Sequence, residues 1–156
     1  MSGVSQASLF LAARRGLFDA IKAALADEKK VDIRFALDWP VGHNDWVGIT
    51  DQSSVGEARI LDRARRQQDD EIEIALSIGS WRPGHGDEVA TKAVERAHEL
   101  LDLIQTYVRN GNNVTLGGAV LWCLPAGVEM NVGNDEKNNG YVCELDATFT
   151  CKVRIR

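Results

Sequence analysis

The sequence predicts an α+β fold, a mainly antiparallel sheet with one long and one N-terminal helix packed on one face. Three stretches carry that prediction. From Asp87 towards Asn110, the residues Val89, Ala90, Ala93, Val94, Ala97, Leu100, Leu101, Ile104, Tyr107 and Val108 recur at three- and four-residue steps, the stripe of an amphipathic helix. Ile72, Ile74, Leu76 and Ile78 alternate with Glu71, Glu73, Ala75 and Ser77, as in a strand with one buried and one wet face. Tyr141, Cys143, Leu145, Ala147, Phe149, Cys151, Val153 and Ile155 keep the same alternation unbroken to the last residues.

In chain order, Ser8 to Leu25 reads as the N-terminal helix, with Phe10, Ala13, Leu17, Ile21 and Ala24 on one side. Gly16 interrupts it, at a cost of about 1 kcal/mol relative to alanine. Asp32 to Trp39 alternates as a strand and Pro40, lacking a donor, stops it. Trp46 to Ile49 is a second short strand. Residues 51–70 read as an exposed arm or long hairpin, or alternatively as a mobile loop, with the composition of a helical turn around Ala58 to Leu61. Its basic group Arg63, Arg65 and Arg66 is followed at once by Asp69, Asp70 and Glu71, which offset the charge locally.

Trp81 to Gly84 turns the chain into the long helix. Asp87 is placed to cap it and Asn110-Gly111 to end it. A tight Thr115-Leu116-Gly117-Gly118 turn leads to a buried strand, Ala119 to Leu124. A bend at Pro125 to Gly127 and a brief strand, Val128 to Val132, come next. The last strand, at ~3.3 Å per residue, would run roughly 50 Å. A rounded domain of this size is only about 40 Å across. The expectation is therefore a strand that overhangs its own subunit and needs a neighbour to cover its apolar face.

A chain of 156 residues forms one domain on size grounds, so residues 1–156 are taken as a single unit. With 44% hydrophobic and 26% charged residues it has the composition of a soluble globular protein. No apolar run approaches the ~20 residues of a membrane span, and the start lacks a secretory pattern. The cytoplasm is the expected compartment of synthesis. A formal charge of −5 argues against a protein that reads nucleic-acid sequence, because phosphate contacts need clustered lysine and arginine. Cys123, Cys143 and Cys151 read as small apolar fillers.

Phosphate-loop, dinucleotide, nucleophile-elbow and zincin motifs do not occur, and no catalytic residues or cofactors are assigned. One local similarity stands out. Trp39-Pro40-Val41-Gly42-His43-Asn44-Asp45 and Trp81-Arg82-Pro83-Gly84-His85-Gly86-Asp87 share tryptophan, Gly-His and aspartate at matching spacing. Two readings stand. The paired His and Asp at adjacent strand ends have the residue types of a divalent-metal or ligand site near His43 and His85. Alternatively, Gly-His-x-Asp is turn chemistry, with the tryptophans packing at sheet ends. No metal ligands are assigned on this pattern alone. Trp39, Trp46, Trp81 and Trp122 read as core or interface anchors and not as a ligand cage.

The order of elements is helix, two short strands, arm, strong strand, long helix, Leu-Gly-Gly turn and closing strands. It resembles the tail terminator (tail completion, head-tail joining) proteins of long-tailed bacteriophages. The residues carrying the resemblance are Glu71 to Ile78, the helix after them, Thr115 to Gly118, and the alternating Val142 to Arg156. The resemblance implies a non-enzymatic virion protein of the tail or neck, forming a homo-hexameric ring. That ring would cap the tail tube, stop its polymerisation and dock to the head-side connector or stopper protein. DNA would pass through the lumen without specific binding, and no membrane would be involved. On this reading the expected interface residues are Trp46, Arg63, Arg65, Arg66, Lys152, Arg154 and Arg156. The contrasting expectation is a small α+β enzyme or ligand-binding domain with its site near His43 and His85.

Overall fold

Helix α1 (Gln6–Ala24) begins where the Ser5 hydroxyl accepts from the free Ser8 N–H at 3.1 Å, the bond that a first helical turn otherwise lacks. The computed structural model describes residues 5–61 and 66–155, with the side chains of 56–61 and 66–68 left aside. Gly16 is explained by packing: a Cβ there would meet the Leu116 carbonyl oxygen at 2.8 Å, so glycine lets the turn after the second helix approach α1 closely.

Strand β1 (Val31–Arg34) is shorter than the alternation of Asp32 to Trp39 predicts. An arginine takes up the carbonyls that a longer strand pairing would use. The Arg14 guanidinium donates to the carbonyls of Phe35, Ile49 and Thr50, each at 3.1 Å. Phe35 meanwhile packs edge-on against Phe18, with centroids 5.5 Å apart.

Strand β2 (Asp45–Leu61) is far longer than the expected Trp46 to Ile49. It pairs in parallel with β1 over Asp45 to Gly48 and antiparallel with β3 (Arg66–Pro83), up to Leu61 opposite Arg66. The arm of 51–70 is thus a long hairpin over its described residues, and the backbone of Ala58 to Leu61 is strand where a helical turn was expected. Its root belongs to the body, since Asp69 and Asp70 are buried.

Helix α2 (Asp87–Arg109) buries Ala93, Ala97, Leu100, Leu101, Ile104 and Val108, as its stripe predicts. Its cap differs from expectation. Gly86 occupies that position without a side-chain bond, and Asp87 lies in the first turn with Glu88, where both acids suit the positive end of the helix dipole. A short 3-10 turn (Gly111–Thr115) follows. In the next turn the Thr115 hydroxyl accepts from the Gly118 N–H at 3.2 Å. Strand β4 (Trp122–Asn134) starts only at Trp122 and runs through the expected bend as a bulge between Pro125 and Val128.

Strand β5 (Gly140–Ile155) pairs antiparallel with β3 from Gly140 opposite Pro83 to Ile155 opposite Gln68, and with β4 on its other side. The five-stranded sheet has the order β1-β2-β3-β5-β4, antiparallel except for β1 against β2. Ala13, Leu17 and Ile21 of α1, the α2 stripe, Ile72 to Ile78 at alternate positions, and the β5 alternation form one continuous core. Burying each large apolar side chain of this kind stabilises the fold by about 1.5–3 kcal/mol.

The overhang expected of the last strand is overturned. Cys143, Leu145, Ala147, Phe149, Cys151 and Val153 are at most 2% exposed within a single subunit. The estimate failed because it assumed a rounded domain. The sheet is tall, and the 18-residue β3 accompanies β5 along its length. Among the described residues no helix is long and apolar enough to cross a membrane.

Candidate binding groove

Since Ile72, Ile74, Leu76 and Ile78 point into the core, Ser77, Gly79 and Trp81 of β3 point away from it, as do Val142 and Glu144 of β5 opposite them. This outward surface carries a groove of about 680 Å³ at the end of the sheet where β3 meets α2. Gly79 makes its floor. A Cβ at Gly79 would collide with the Trp46 ring, so the indole lies flat across the backbone and is only 4% exposed. Trp39 stands edge-on to Trp46, with centroids 5.2 Å apart, and is itself 57% exposed. Trp81 lines the groove beyond, facing residues 131–135 of the β4–β5 hairpin.

Two carboxylates are fixed in this aromatic surround. The Ser77 hydroxyl accepts from Trp46 Nε1 at 3.2 Å and donates to Glu144 at 2.8 Å, so the buried indole orients the acid through one hydroxyl. Asp135 accepts from the Asn139 backbone N–H and from Trp81 Nε1, both at 2.8 Å. These bonds, the Asn139 N–H first, hold its carboxyl below the ordinary aspartate range. The loop that carries Trp39, Val41 and His43 is pinned to β1, because Asp32 accepts from the Gly42 N–H at 2.5 Å and from Arg34 at 2.8 Å.

The repeated Trp-x-x-Gly-His segments meet here in part. Trp39, His43 and Trp81 line the groove, while His85 sits in the exposed turn before α2 and is not among the lining residues. The two aspartates have other tasks. Asp87 is in the first turn of α2. Asp45 is buried in an ion-pair network, accepting from Ser80 at 2.8 Å, Arg82 at 2.7 Å and Arg96 at 3.1 Å. Burial pushes its carboxyl up, but the donors Arg82, Ser80 and Arg96 outweigh burial and hold it below the ordinary range. Arg96 also reaches Glu28 at 3.3 Å, tying α2 to the connection that follows α1 and to the sheet. Among the described residues, no three His, Cys, Asp or Glu side chains gather as a metal site.

The expected interface residues are dispersed. Trp46 is buried beneath the groove, and Trp39 holds the exposed position. Arg154 donates to Asp69 of its own subunit at 2.9 Å, and Lys152 lies 3.9 Å from the same carboxylate. Arg63, Arg65 and Arg156 lie outside the described residues, as does the side chain of Arg66. The cysteines are buried and free, and Cys123 faces Cys151 across β4 and β5. The neighbouring Cys151 thiol, and after it burial, push the Cys123 thiol up, which keeps it protonated.

What sequence reasoning missed is the gathering of three tryptophans. The matched Trp-x-x-Gly-His spacing was the available signal, since it placed Trp39 and Trp81 at the same end of neighbouring chain segments. Chemically, indole faces beside two anchored carboxylates suit a cation carried on an apolar stem. No nucleophile–base pair lines the groove.

No protein-family model matches the chain, and no curated protein sequence matches it. Among solved structures, a chain of the "Virion of native gene transfer agent (GTA) particle" is similar at a TM-score of 0.46 and 9% identity, over 90% of this chain and 93% of that one. A likeness at that level carries no weight for function.

Proposed function

We propose that the protein is a structural virion subunit, a tail terminator that assembles as a homo-hexameric ring on the tail tube. In this role it stops tube polymerisation and offers its far face to the head-side connector, with no chemical step. The observation that carries the reading is the open edge of the sheet. Among the described residues no strand pairs with the outer side of β4, which runs 13 residues. Val128, Met130 and Val132 on it are in register with the buried Ala147, Leu145 and Cys143, yet each remains about half exposed. An unpaired edge with a row of apolar side chains is costly to leave in water and templates association.

The opposite border of the sheet is open too beyond Thr50 among the described residues, because β1 covers β2 only as far as Gly48 and Arg14 and Leu37 take up the carbonyls of Ile49 and Thr50. Two different open borders favour heterologous, head-to-tail contacts, and such contacts close into rings when the rotation between copies allows. The order of elements, with its Thr115-Leu116-Gly117-Gly118 turn, supports the assignment to tail terminators. Light scattering of the purified protein, alone and with tail tubes, tests the reading. A six-copy ring supports it, whereas a monomer that ignores tubes at high concentration refutes it.

A second reading is favoured by the groove itself. Its ~680 Å³ lies in the range that small-molecule sites occupy, roughly 300–1,000 Å³, which suits a ligand-binding domain with its site at His43. His85 stands apart from that groove, and the paired-histidine version of this reading loses a partner.

A further inference from the structure

We infer that the tryptophan groove is a docking site for an arginine side chain presented by a segment of another protein. The inference goes beyond the ring reading and does not depend on it. Glu144 is the anchoring charge. The Ser77 hydroxyl donates to its Oε2, and among the described residues nothing donates to Oε1. Asp135 adds a second negative charge, held between the Asn139 N–H and Trp81 Nε1. No lysine or arginine is among the described residues that line the groove, so its charge is left for an incoming cation to balance.

The surround selects the kind of cation. The indole N–H groups of Trp46 and Trp81 are spent on Ser77 and Asp135, so these rings have no donor left for an anion. A quaternary ammonium would leave Oε1 of Glu144 without a donor. Guanidinium lies flat on an indole, donates through its edge to a carboxylate, and loses little hydration in doing so. The groove is also open, since Trp39 is 57% exposed, whereas a site for a free small molecule buries roughly 70–90% of its ligand. An open groove takes the head and stem of a side chain whose main chain runs on outside. Exposed Asn44 and Asn134 at the rim offer neutral amides to that main chain. An aromatic centre within a polar rim is the anatomy of protein interfaces, where arginine is enriched.

The test titrates the full-length chain with an end-capped Gly-Gly-Arg-Gly-Gly peptide, following tryptophan emission and backbone NMR shifts. Saturation in the millimolar range is expected, weakened at least ~10-fold when citrulline, which keeps the shape but not the charge, replaces the arginine. Trp39→Ala or Glu144→Gln in the receiver should weaken it by a similar factor. Trp39 is exposed and glutamine still accepts from Ser77, so both receivers retain the fold, and the citrulline comparison needs no variant at all. No saturable change at ~20 mM peptide, or citrulline binding as well as arginine, overturns the inference. Butylguanidinium has the head and stem without a main chain, and it should bind at least ~3-fold more weakly than the peptide. Equal or tighter binding overturns the protein source in favour of a free small ligand. Rings on tail tubes are counted separately by electron microscopy. Rings without arginine binding leave the terminator reading standing and the inference fallen, and binding without rings does the reverse.

Discussion

Replacing Asp45 by asparagine tests how the helices are fastened to the sheet. Asp45 is 6% exposed and receives Ser80, Arg82 and Arg96, the last from α2. Asparagine fills the space but leaves two guanidinium groups facing a neutral, partly donating amide. Removing one partner of a buried ion pair costs about 3–5 kcal/mol. The lower end applies here, because the Arg82 side chain is 27% exposed and regains some water. At about 3 kcal/mol, a domain of this size should lose roughly 6–12 °C in Tm. The sign with pH follows from the depressed carboxyl. A group whose folded pKa lies below its unfolded value stabilises above the ordinary aspartate pKa, and that contribution fades as pH falls through the folded pKa. The difference between wild type and Asp45→Asn should therefore be full at pH 7 and shrink steadily below about pH 4. Calorimetry and urea unfolding across that range read it directly. A loss under about 1 kcal/mol at pH 7, or a difference constant down to pH 2, would refute the network as a fastening.

Three further substitutions separate packing from assembly. Gly79→Ala forces the Trp46 ring off the backbone, and we expect a loss of about 1–3 kcal/mol with a red shift of tryptophan emission, checked by urea titration. Gly16→Ala should destabilise despite a helix-propensity gain of about 1 kcal/mol, because its Cβ meets the Leu116 carbonyl; a higher Tm would contradict that. Met130→Lys, at a half-exposed position on β4, should leave the Tm of the isolated chain within ~1–2 °C while abolishing ring formation in light scattering.

The elements legible in the sequence are those whose burial is one-sided along their whole length. The α2 stripe, Ile72 to Ile78, and Cys143 to Val153 each face a single core and carry its period. β2 lacked that stamp because Asp51 to Ser54 lie where the hairpin is only partly covered, so neither face had to be apolar. The helical look of Ala58 to Leu61 reflected local composition, which the pairing with β3 overrides. Capping was misassigned by one residue, since Gly86 and Asp87 are both plausible caps by type.

The site was harder to read than the fold. Its lining comes from the 39–44 loop, the start of β2, β3, the β4–β5 hairpin and β5, segments separated by up to about a hundred residues, and only a repeated Trp-x-x-Gly-His spacing hinted that two of them meet. Trp46 was expected at an interface because nothing in sequence shows that the bare backbone of Gly79 makes room for its ring. The long final strand pointed to association through the wrong surface: β5 is covered by its own subunit, and β4 beside it carries the open edge.

The length distribution of tail tubes assembled with and without this protein, measured by electron microscopy, tests the central claim most directly. Uniform tubes bearing a six-fold cap when it is present, and tubes of uncontrolled length or tails unable to join heads when it is absent, are the predicted pair. Tubes of the same length in both cases, with the chain unbound to their ends, would contradict the account.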